Sequence, residues 1–400
     1  MTLGLEFLRI SLRIYLFWHL FFVRLLGTII KKQANPLNGH EILLTGTFYS
    51  SNWVHSHIIP IALSKGCSKL IVVTVFPLQP LEGIEIIHPP RILLKVLGVV
   101  PARLLTFFWL AISRRPGYVG GFHLLFNGLV ANIASKLIGA KSIYFCVGGP
   151  AEVIGGGVFS GNRVFEKLRQ PDIFIEKQLL NAVKQFDLII TMGSKAVLFF
   201  KEHKIHGDFH VVPGGINSRQ FTTATTAPDF DIITVGRLEQ VKRFDIFIKS
   251  IDEIKKSLPM VKAVIIGDGA LALELLTLIK ELGLENNILL PGVQSNVEAW
   301  LRKSKIFMLT SDSEGLSLAM MEAMLCGLPA IVSNVGDLGD LVAEGKNGFL
   351  ISTRAPENFA VAVLNLLANP ERMHEFSMHA RNSALQYTKE ATTIRWDAIL

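Results

Sequence analysis

The amino-acid sequence predicts an α/β protein built from two doubly wound, Rossmann-like domains facing a cleft, with an amphipathic helix at the N-terminus. Three observations predict this fold class. The chain has 400 residues, more than one ordinary core accommodates. From residue 41 onward, short apolar runs alternate with helical patterns. The segment 221–230, FTTATTAPDF, then interrupts the alternation with almost no core-forming side chains. Two successive βα series, and hence two domains, are therefore expected.

The two series set the predicted boundaries. We expect an N-terminal domain over 35–215 and a C-terminal domain over 216–384, with a helix at about 385–400 returning to the first. Near-continuous apolar runs predict buried parallel strands, which fall at 41–45, 69–75, 118–122, 141–147, 187–192 and 209–213, and then at 231–236, 262–267, 287–292, 305–311, 330–333 and 348–351. Helical stretches lie near 50–65, 125–138, 173–185 and 194–203. Ligands of such folds bind at the carboxyl ends of the strands.

Composition limits the partners. The net charge is +7 and the pI about 9.2, half of the residues are hydrophobic and 18% are charged. This balance suits an anionic membrane surface or an anionic substrate. The basic residues form no dense run interleaved with aromatics, so no nucleic-acid partner is expected. The three widely spaced cysteines form neither a metal pattern nor a disulfide framework and indicate a reducing compartment.

The N-terminal segment 1–34 predicts a helix lying in a membrane interface. Its longest uncharged run, Ile14–Val23, has ten residues, whereas a spanning helix needs about 20. On a helical wheel, a narrow stripe carries Glu6, Arg9, Arg13, Arg24 and Lys31, and the other faces are apolar. Basic residues toward the headgroups are typical of interfacial helices. The alternative is a helix packed on the protein's own surface. A second apolar stretch, 91–116, is either another membrane-facing element or a core helix broken near Pro101.

A pair of carboxylates marks the stretch SDSEGLSLAMMEAMLCGLP, residues 311–329. We predict a helix from near Leu316 to Gly327, where glycine stops the helix and a proline follows. Glu314 then lies in the preceding loop and Glu322 on the second turn, so they can flank an elongated ligand. A diphosphate fits the helix N-terminus between them. Glu314 could instead only stabilise the helix dipole. Glu322 has no charge partner three or four positions away, and a buried carboxylate needs one.

Basic residues follow the first predicted strand of the second domain. Arg237 comes directly after it, and Lys242 and Arg243 open the next helix. Cations at a helix N-terminus are disfavoured unless an anion lies there, so we expect phosphates. The alternative is that Lys242 and Arg243 are merely solvated. The next strand ends in Gly267-Asp268-Gly269, which permits close approach of a ligand but is also an ordinary turn.

Residues 231–352 resemble the donor domain of the family 4 retaining glycosyltransferases, which have the two-Rossmann GT-B fold. The resemblance rests on VGRLEQVKRFD, IIGDGA, the segment from LPGVQSN to GLPAIVS, and LVAEGKNGFLI, in order over about 120 residues. It implies that Arg237 and Lys242 clamp the donor diphosphate and that Glu322 holds the nucleotide ribose. It also implies that Val293 contacts the base. The transferred sugar and the distal phosphate are held by Glu314, Gly315, Leu316 and Ser317 in this family. The loop Gly267, Asp268 and Gly269 completes the donor contacts that the resemblance implies.

The N-terminal half matches this family less closely. The stretch 118–145 resembles the family's strand and helix with a cleft histidine, which places His123 near the transferred sugar. The family's His-Gly after the next strand is replaced by 146–150, CVGGP, and its Gly-Gly loop after the first strand by 45–53, TGTFYSSNW. The glycine-rich loop 148–157 contains Glu152. It either touches a bound sugar or is a turn-forming connection.

The resemblance implies a retaining hexosyltransferase that takes a sugar from a nucleoside-diphosphate sugar, and the N-terminal helix suggests a lipid-linked or polysaccharide acceptor. No cofactor is expected. We expect no metal, on the premise that the chain lacks the Asp-x-Asp triplet of the other main transferase fold. The N-terminal helix leads us to expect a cytoplasmic enzyme, peripheral at the inner face of the cytoplasmic membrane. The alternatives are a nucleotide-sugar epimerase of the same fold and a non-catalytic membrane-bound nucleotide-sugar binding protein.

Overall fold

The computed structural model describes residues 2–31, 40–48, 50–78 and 80–400. The chain divides into two compact units, one reaching Pro213 and including Thr392–Leu400, the other Gly214–Ala391. The end of the predicted interfacial helix, 32–34, and the predicted start of the first domain at 35 lie outside the described residues.

The first unit is built on a seven-stranded parallel sheet in the order β3-β2-β1-β4-β5-β6-β7. Its strands are β1 (His40–Thr45), β2 (Cys67–Val73), β3 (Ile84–Ile87), β4 (Tyr118–Phe122), β5 (Lys141–Cys146), β6 (Leu188–Thr191) and β7 (Asp208–Val211). Every predicted strand of the first series is present. The edge strand β3 was not predicted, because four half-buried residues give too short an apolar run to stand out.

Helices cover both faces of this sheet, which explains why its strands are apolar throughout. Phe107 and Ala131 pack on one face of the sheet and Trp396 on the other. The helices are α1 (Thr2–Ile29), α2 (Ser51–His57), α3 (Ile59–Ala62), α4 (Arg91–Leu97), α5 (Val99–Arg114), α6 (Leu129–Ile138), α7 (Ile173–Val183) and α8 (Ser194–Glu202).

The apolar stretch 91–116 is broken near Pro101, as one of the two alternatives expected, but the break lies at Gly98, between α4 and α5, and proline does not cause it. Gly98 adopts a φ of 79°, which glycine reaches without a steric penalty. Pro101 instead occupies the first turn of α5, where its missing N–H has no intrahelical partner to lose. One side of α5 is buried in the core, while Trp109 on the other side is exposed.

Helix α1 has a buried face and an exposed apolar face. Its buried side chains, Leu12, Leu16, Leu20 and Val23, lie toward α6 and α7. This face therefore packs on the protein itself, which was the alternative to a helix in a membrane interface. The opposite face exposes Phe7, Ile10, Ile14, Phe17, Trp18, Phe21, Leu25 and Ile29. By length and composition alone, the span Gly4–Ile29 could also cross a bilayer.

The basic stripe of α1 lies along the flank of the buried face. Arg13 approaches Asp172 at 2.8 Å and Arg9 approaches the same carboxylate at 3.3 Å. Asp172 also caps the N-terminus of α7 by accepting from Phe174 N and Ile175 N. Part of the stripe therefore fixes α1 to its own unit.

The second unit is built on a six-stranded parallel sheet in the order β10-β9-β8-β11-β12-β13. Its strands are β8 (Phe230–Val235), β9 (Ala263–Ile266), β10 (Ile288–Gly292), β11 (Ser304–Leu309), β12 (Ala330–Ser333) and β13 (Gly348–Ile351). Its helices are α9 (Phe244–Ser257), α10 (Ala272–Glu281), α11 (Val297–Arg302), α12 (Leu318–Leu325), α13 (Pro356–Leu367) and α14 (Pro370–Ala384), and α15 (Lys389–Ile399) leads back to the first unit. Both sheets confirm the predicted doubly wound fold class.

Candidate functional site

The strand order of the second sheet reverses between β8 and β11. All strands of this sheet are parallel, so the loops that follow these two strands leave the same edge side by side. Open α/β sheets bind ligands at such a switch point. The loop after β8 carries Arg237 and Lys242, and the loop after β11 carries Glu314.

An ion pair joins these two loops. Lys242 Nζ lies 2.7 Å from Glu314 Oε1, and their side chains are only 20% and 9% exposed. Ser311 Oγ donates to the same carboxylate oxygen at 2.6 Å. Gly336, with a φ of 50°, packs so closely against the Glu314 carbonyl that a Cβ there would overlap it. Three loops therefore hold Glu314 in place.

The anions beside the cations in this structure are the protein's own carboxylates, so the placement of the cations does not by itself require phosphates. Lys242 pairs with Glu314, while Arg243 donates to both carboxylate oxygens of Asp245 at 2.9 and 3.0 Å and contacts Asp312. Carboxylates therefore neutralise both cations without a ligand. Arg243 itself caps α9 in a left-handed conformation, with a φ of 50°.

Helix α12 carries Glu322 on its second turn, as predicted. The helix begins after Ser317, two residues later than predicted from Leu316, because the Ser317 hydroxyl caps it by accepting from Met320 N. Its end is as predicted, with Gly327 at a φ of 88°. Leu316 is buried in the core beneath the helix, and Gly315 is half-buried.

Glu322 is a buried carboxyl without a hydrogen-bond partner in the described part of the chain. It is 9% exposed. Burial raises its pKa to about 8, and the nearby negative charge of Glu298 on α11 adds to the increase. The carboxyl is therefore mostly protonated at neutral pH and can donate as well as accept a hydrogen bond. Sequence reasoning missed Glu298, which is separated from Glu322 by a strand and two loops.

The Gly267-Asp268-Gly269 loop packs against the loop after β8. A Cβ at Gly267 would overlap the Gly236 carbonyl oxygen, and one at Gly269 would lie 2.6 Å from Leu238 O. Leu238 N donates to Asp268 O at 3.0 Å. This loop-to-loop packing already requires both glycines, so their presence alone does not indicate a ligand.

Arg237 and Val293 lie at the same edge but are exposed. The Arg237 side chain is 69% exposed and donates to Glu239 at 2.7 Å. Val293 is 74% exposed and follows β10. Within the described residues, the structure brings Lys242 and Glu314 into contact but shows no hydrogen bond from either to Arg237 or Glu322.

The premise that the chain lacks an Asp-x-Asp triplet was wrong, because Asp229-Phe230-Asp231 is one. This triplet lies at the amino end of β8, the opposite end of the strand from Lys242. Asp229 pairs with Lys303 at 3.2 Å and Asp231 with Lys305 at 2.7 Å. Both carboxylates therefore serve ion pairs away from the candidate site. The described residues hold no cluster of three or more metal-ligating side chains.

The first unit holds a second polar cluster, centred on His123 at the carboxyl end of β4. His123 has a φ of 65°, a strained value for a residue with a side chain. Its Nδ1 lies 3.0 Å from Glu152 Oε1. Glu152, which is 1% exposed, also accepts from Leu124 N, Tyr144 Oη and Gly148 N at 2.5, 3.0 and 2.6 Å.

These contacts keep Glu152 ionised. Burial alone would raise its pKa, but the His123 charge and the hydrogen bonds from His123, Leu124 and Gly148 outweigh burial and lower it. A carboxylate opposite Nδ1 requires the proton on that nitrogen, which leaves Nε2 of a neutral imidazole as an acceptor. The loop 148–157, whose role the sequence left open, thus orients His123 through Glu152.

Comparisons with known proteins relate the second unit to one family. Residues 219–383 match the family model Glycosyl transferases group 1. The matched segment lies within the second unit. It contains the Lys242–Glu314 pair, the glycine loop and Glu322. His123 and Glu152 lie outside the matched residues.

Similar proteins support the same grouping. N-acetyl-alpha-D-glucosaminyl L-malate synthase of Bacillus anthracis is 28% identical over 42% of this chain and 44% of its own length. Poly(glycerol-phosphate) alpha-glucosyltransferase of Bacillus subtilis is 25% identical over 60% of this chain and 35% of its own length. The chain thus spans less than half the length of these curated relatives.

Solved structures extend the likeness to the whole fold. Anabaena Alr3699/HepE in complex with UDP matches 90% of this chain and 99% of its own with a TM-score of 0.68 at 17% identity. Sucrose-phosphate synthase from Thermosynechococcus elongatus matches 90% of this chain and 98% of its own with a TM-score of 0.72 at 14% identity. At such identities the likeness concerns the fold alone, and the fold is GT-B, as the resemblance implied.

Proposed function

We propose that this protein is a family 4 retaining glycosyltransferase that moves a sugar from a nucleoside-diphosphate sugar to a saccharide or lipid-linked saccharide. The observation that carries the proposal is the Lys242–Glu314 ion pair at the strand-order switch point, beside the N-terminus of a helix that carries the unpartnered Glu322. A cation, free backbone N–H groups and two carboxyls suit a diphosphate between two hydroxyl-rich rings.

The donor is a UDP-sugar in this proposal, because UDP is bound in the similar HepE structure. The ribose hydroxyls contact Glu322, whose neutral carboxyl offers both a donor and an acceptor to a diol. Val293 lies beside the base. The diphosphate lies against Lys242, Arg237 and the first turn of α12.

In the chemical step, the protein stabilises the negative charge on the departing diphosphate and forms no covalent bond to the sugar. The bond from the anomeric carbon to the diphosphate breaks, and a bond from this carbon to the acceptor oxygen forms on the same face of the sugar. The acceptor's proton passes to the departing phosphate. Lys242, Arg237 and the α12 amides stabilise the negative charge that develops on this group. Glu314, held by Lys242 and Ser311, orients the sugar hydroxyls.

Glu322 supplies the direct test of donor binding. UDP at about 100 times its dissociation constant should raise the free energy of unfolding by about 2.7 kcal/mol, measured as a thermal shift in parallel with GDP and ADP. Glu322→Ala should weaken UDP binding roughly tenfold, because it removes both the donor and the acceptor that the carboxyl offers, whereas Glu322→Gln keeps a donor and an acceptor and should bind UDP nearly as the parent does. The proposal fails if no nucleoside diphosphate shifts the transition.

The Glu322→Gln variant should change stability with pH. The folded-state pKa of Glu322 is raised, so between about 4.5 and 8 the folded protein holds a proton that the unfolded chain has lost, and stability falls as pH rises through this window. Without UDP, the variant should therefore be more stable than the parent by roughly 1–3 kcal/mol at pH 8, and by much less at pH 5. Equal pH profiles of unfolding would show that Glu322 is not buried as described.

Sugar transfer also has to be separated from epimerisation. Incubation with a UDP-sugar and no acceptor should leave the sugar configuration unchanged, whereas an epimerase would convert it. Release of the β-anomer of the product from an α-linked donor would contradict retention.

Membrane association is part of the proposal, with α1 lying on the bilayer surface at the cytoplasmic face. The exposed face of α1 carries aromatic and aliphatic side chains from Phe7 to Ile29, and its basic flank adjoins this face on a helical wheel. A spanning orientation would expose the buried Leu16 and Val23 and separate Arg13 from Asp172. An interfacial orientation keeps all three contacts.

Extraction of membranes distinguishes these orientations. Alkaline carbonate is expected to release the full chain, because a peripheral helix loses its electrostatic attachment while a spanning helix does not. Replacing Ile14 and Trp18 with serine should lower the membrane-bound fraction several-fold, whereas the same change at Leu198, exposed on α8, should not. Retention of the parent protein after carbonate would overturn the interfacial orientation.

A further inference from the structure

A groove of about 560 Å³ runs between α1 and α7. Its apolar walls include Phe17, Phe21 and Leu25 of α1 and Phe174 of α7, which are each between 40% and 56% exposed. Arg24 and Lys177 also line it, one from each helix. A concave site of this volume, mostly apolar with a few polar groups, is typical of small-molecule binding sites.

Rigid contacts form the groove. Leu16, Leu20 and Val23 hold the inner side of α1 in the core. Closer to the N-terminus of α1, Arg13 pairs with Asp172, and its Cζ lies 5.3 Å from the centre of the Phe174 ring. Gln178 Nε2 donates to Arg13 O at 3.3 Å. The groove is therefore preformed by the packing of two helices.

The charge of the groove selects the class of occupant. Its described lining contains two cations and no carboxylate, so it favours a molecule that combines hydrocarbon with negative charge. We infer that the groove binds an anionic phospholipid of the bilayer, with an acyl chain along Phe17, Phe21, Leu25 and Phe174 and the phosphate against Arg24 and Lys177. This inference rests on the proposed membrane association and is independent of sugar transfer.

A bilayer accounts for the exposed apolar surfaces of this unit better than a second protein does. The same unit carries another exposed apolar surface on α4 and α5, including Ile92, Val96 and Trp109, with Arg91 and Lys95 beside it in the sequence. A bilayer can contact two such surfaces without a matching shape, and tryptophan with basic neighbours is typical of the membrane interface. A protein partner would need complementary carboxylates and shape at each surface.

Water-soluble lipids test binding to the groove itself. Dihexanoyl phosphatidylglycerol, kept below its micelle concentration, should bind the purified full chain saturably in calorimetry. Dihexanoyl phosphatidylcholine should bind at least tenfold more weakly, and glycerol phosphate should not bind measurably. Equal binding of the two lipids would overturn the role of the cations. Binding of glycerol phosphate as tight as that of the anionic lipid would overturn the role of the apolar walls.

Variants connect this binding to the named residues. Arg24→Glu with Lys177→Glu should weaken binding to vesicles containing phosphatidylglycerol by roughly thirtyfold or more. The control Lys201→Glu, at an exposed position on α8, should change vesicle binding less than twofold. Phe174→Ser should abolish binding of the soluble lipid, and an unchanged circular dichroism spectrum and unfolding temperature would show that the variant is folded. The inference is wrong if these variants bind like the parent, or if they instead dissociate a dimer of the parent chain.

Discussion

Replacing Lys242 with alanine is expected to lower kcat by roughly 10²–10³-fold, the usual effect of removing one preorganised group that stabilises developing negative charge. Lys242 is the cation held at the switch point, 2.7 Å from Glu314 and only 20% exposed. Arg237→Ala should also lower turnover by orders of magnitude. The measurement is the initial rate of sugar transfer, or of donor hydrolysis, at saturating UDP-sugar.

Two controls separate this chemistry from a loss of structure. Lys249→Ala removes the same charge from an exposed position on α9 and should leave the rate within about twofold. Lys242→Ala leaves Glu314 without its cation and should therefore destabilise the protein by roughly 1–3 kcal/mol. The double variant with Glu314→Gln should recover part of this stability but none of the activity. Near-normal rates in both Lys242→Ala and Arg237→Ala would reject the diphosphate clamp.

We propose that His123 lies beside the transferred sugar, so the Glu152→Gln variant is expected to lower kcat by roughly 10²-fold, because small errors in the position of a group at the reacting centre have effects of this size. The Glu152 carboxylate accepts from His123, Leu124, Tyr144 and Gly148. A glutamine places an N–H₂ group against one of these donors and loosens His123. Glu152 acts here as a positioning residue, so KM for the donor and the UDP thermal shift should remain unchanged.

The pH dependence of stability gives a readout that depends on Glu152 itself. Its pKa is lowered in the folded state, so its stabilisation is present above its ordinary pKa and is lost as pH falls below about 4.5. Glu152→Gln should lose less stability over this acidic range than the parent does. The control Glu176→Gln, which alters the acceptor of Gly155 N in the same loop, should keep most of the activity. If both variants lose activity equally, the loop matters but Glu152 does not orient His123.

Local patterns were sufficient to predict most of the fold. The apolar runs located every strand except β3, and the glycine at position 327 marked the end of α12. The helical wheel of α1 identified its basic stripe, but no local pattern shows which face of a helix meets the rest of the protein. Only the packing against α6 and α7 revealed that the stripe flanks a buried face.

The contacts within the candidate sites could not be predicted from local sequence patterns, because they join residues distant in the chain. Lys242 and Glu314 are 72 positions apart, and His123 and Glu152 are 29 apart. The sequence suggested ligand contacts for Lys242 and Glu314, the resemblance suggested one for His123, and the role of Glu152 stayed open; the structure adds the contacts within each pair. The Gly267-Asp268-Gly269 loop shows the converse case, since two loops in close contact produce the same glycine pattern as a bound phosphate.

Asp172 connects two parts of the first unit that have so far been described separately. Its carboxylate holds Arg9 and Arg13 of α1, and its backbone N–H donates to Gly155 O, three positions beyond Glu152. A displacement of α1 is therefore expected to reach the loop that fixes the imidazole. If α1 attaches to a surface as proposed, we expect detachment to lower turnover before the protein unfolds.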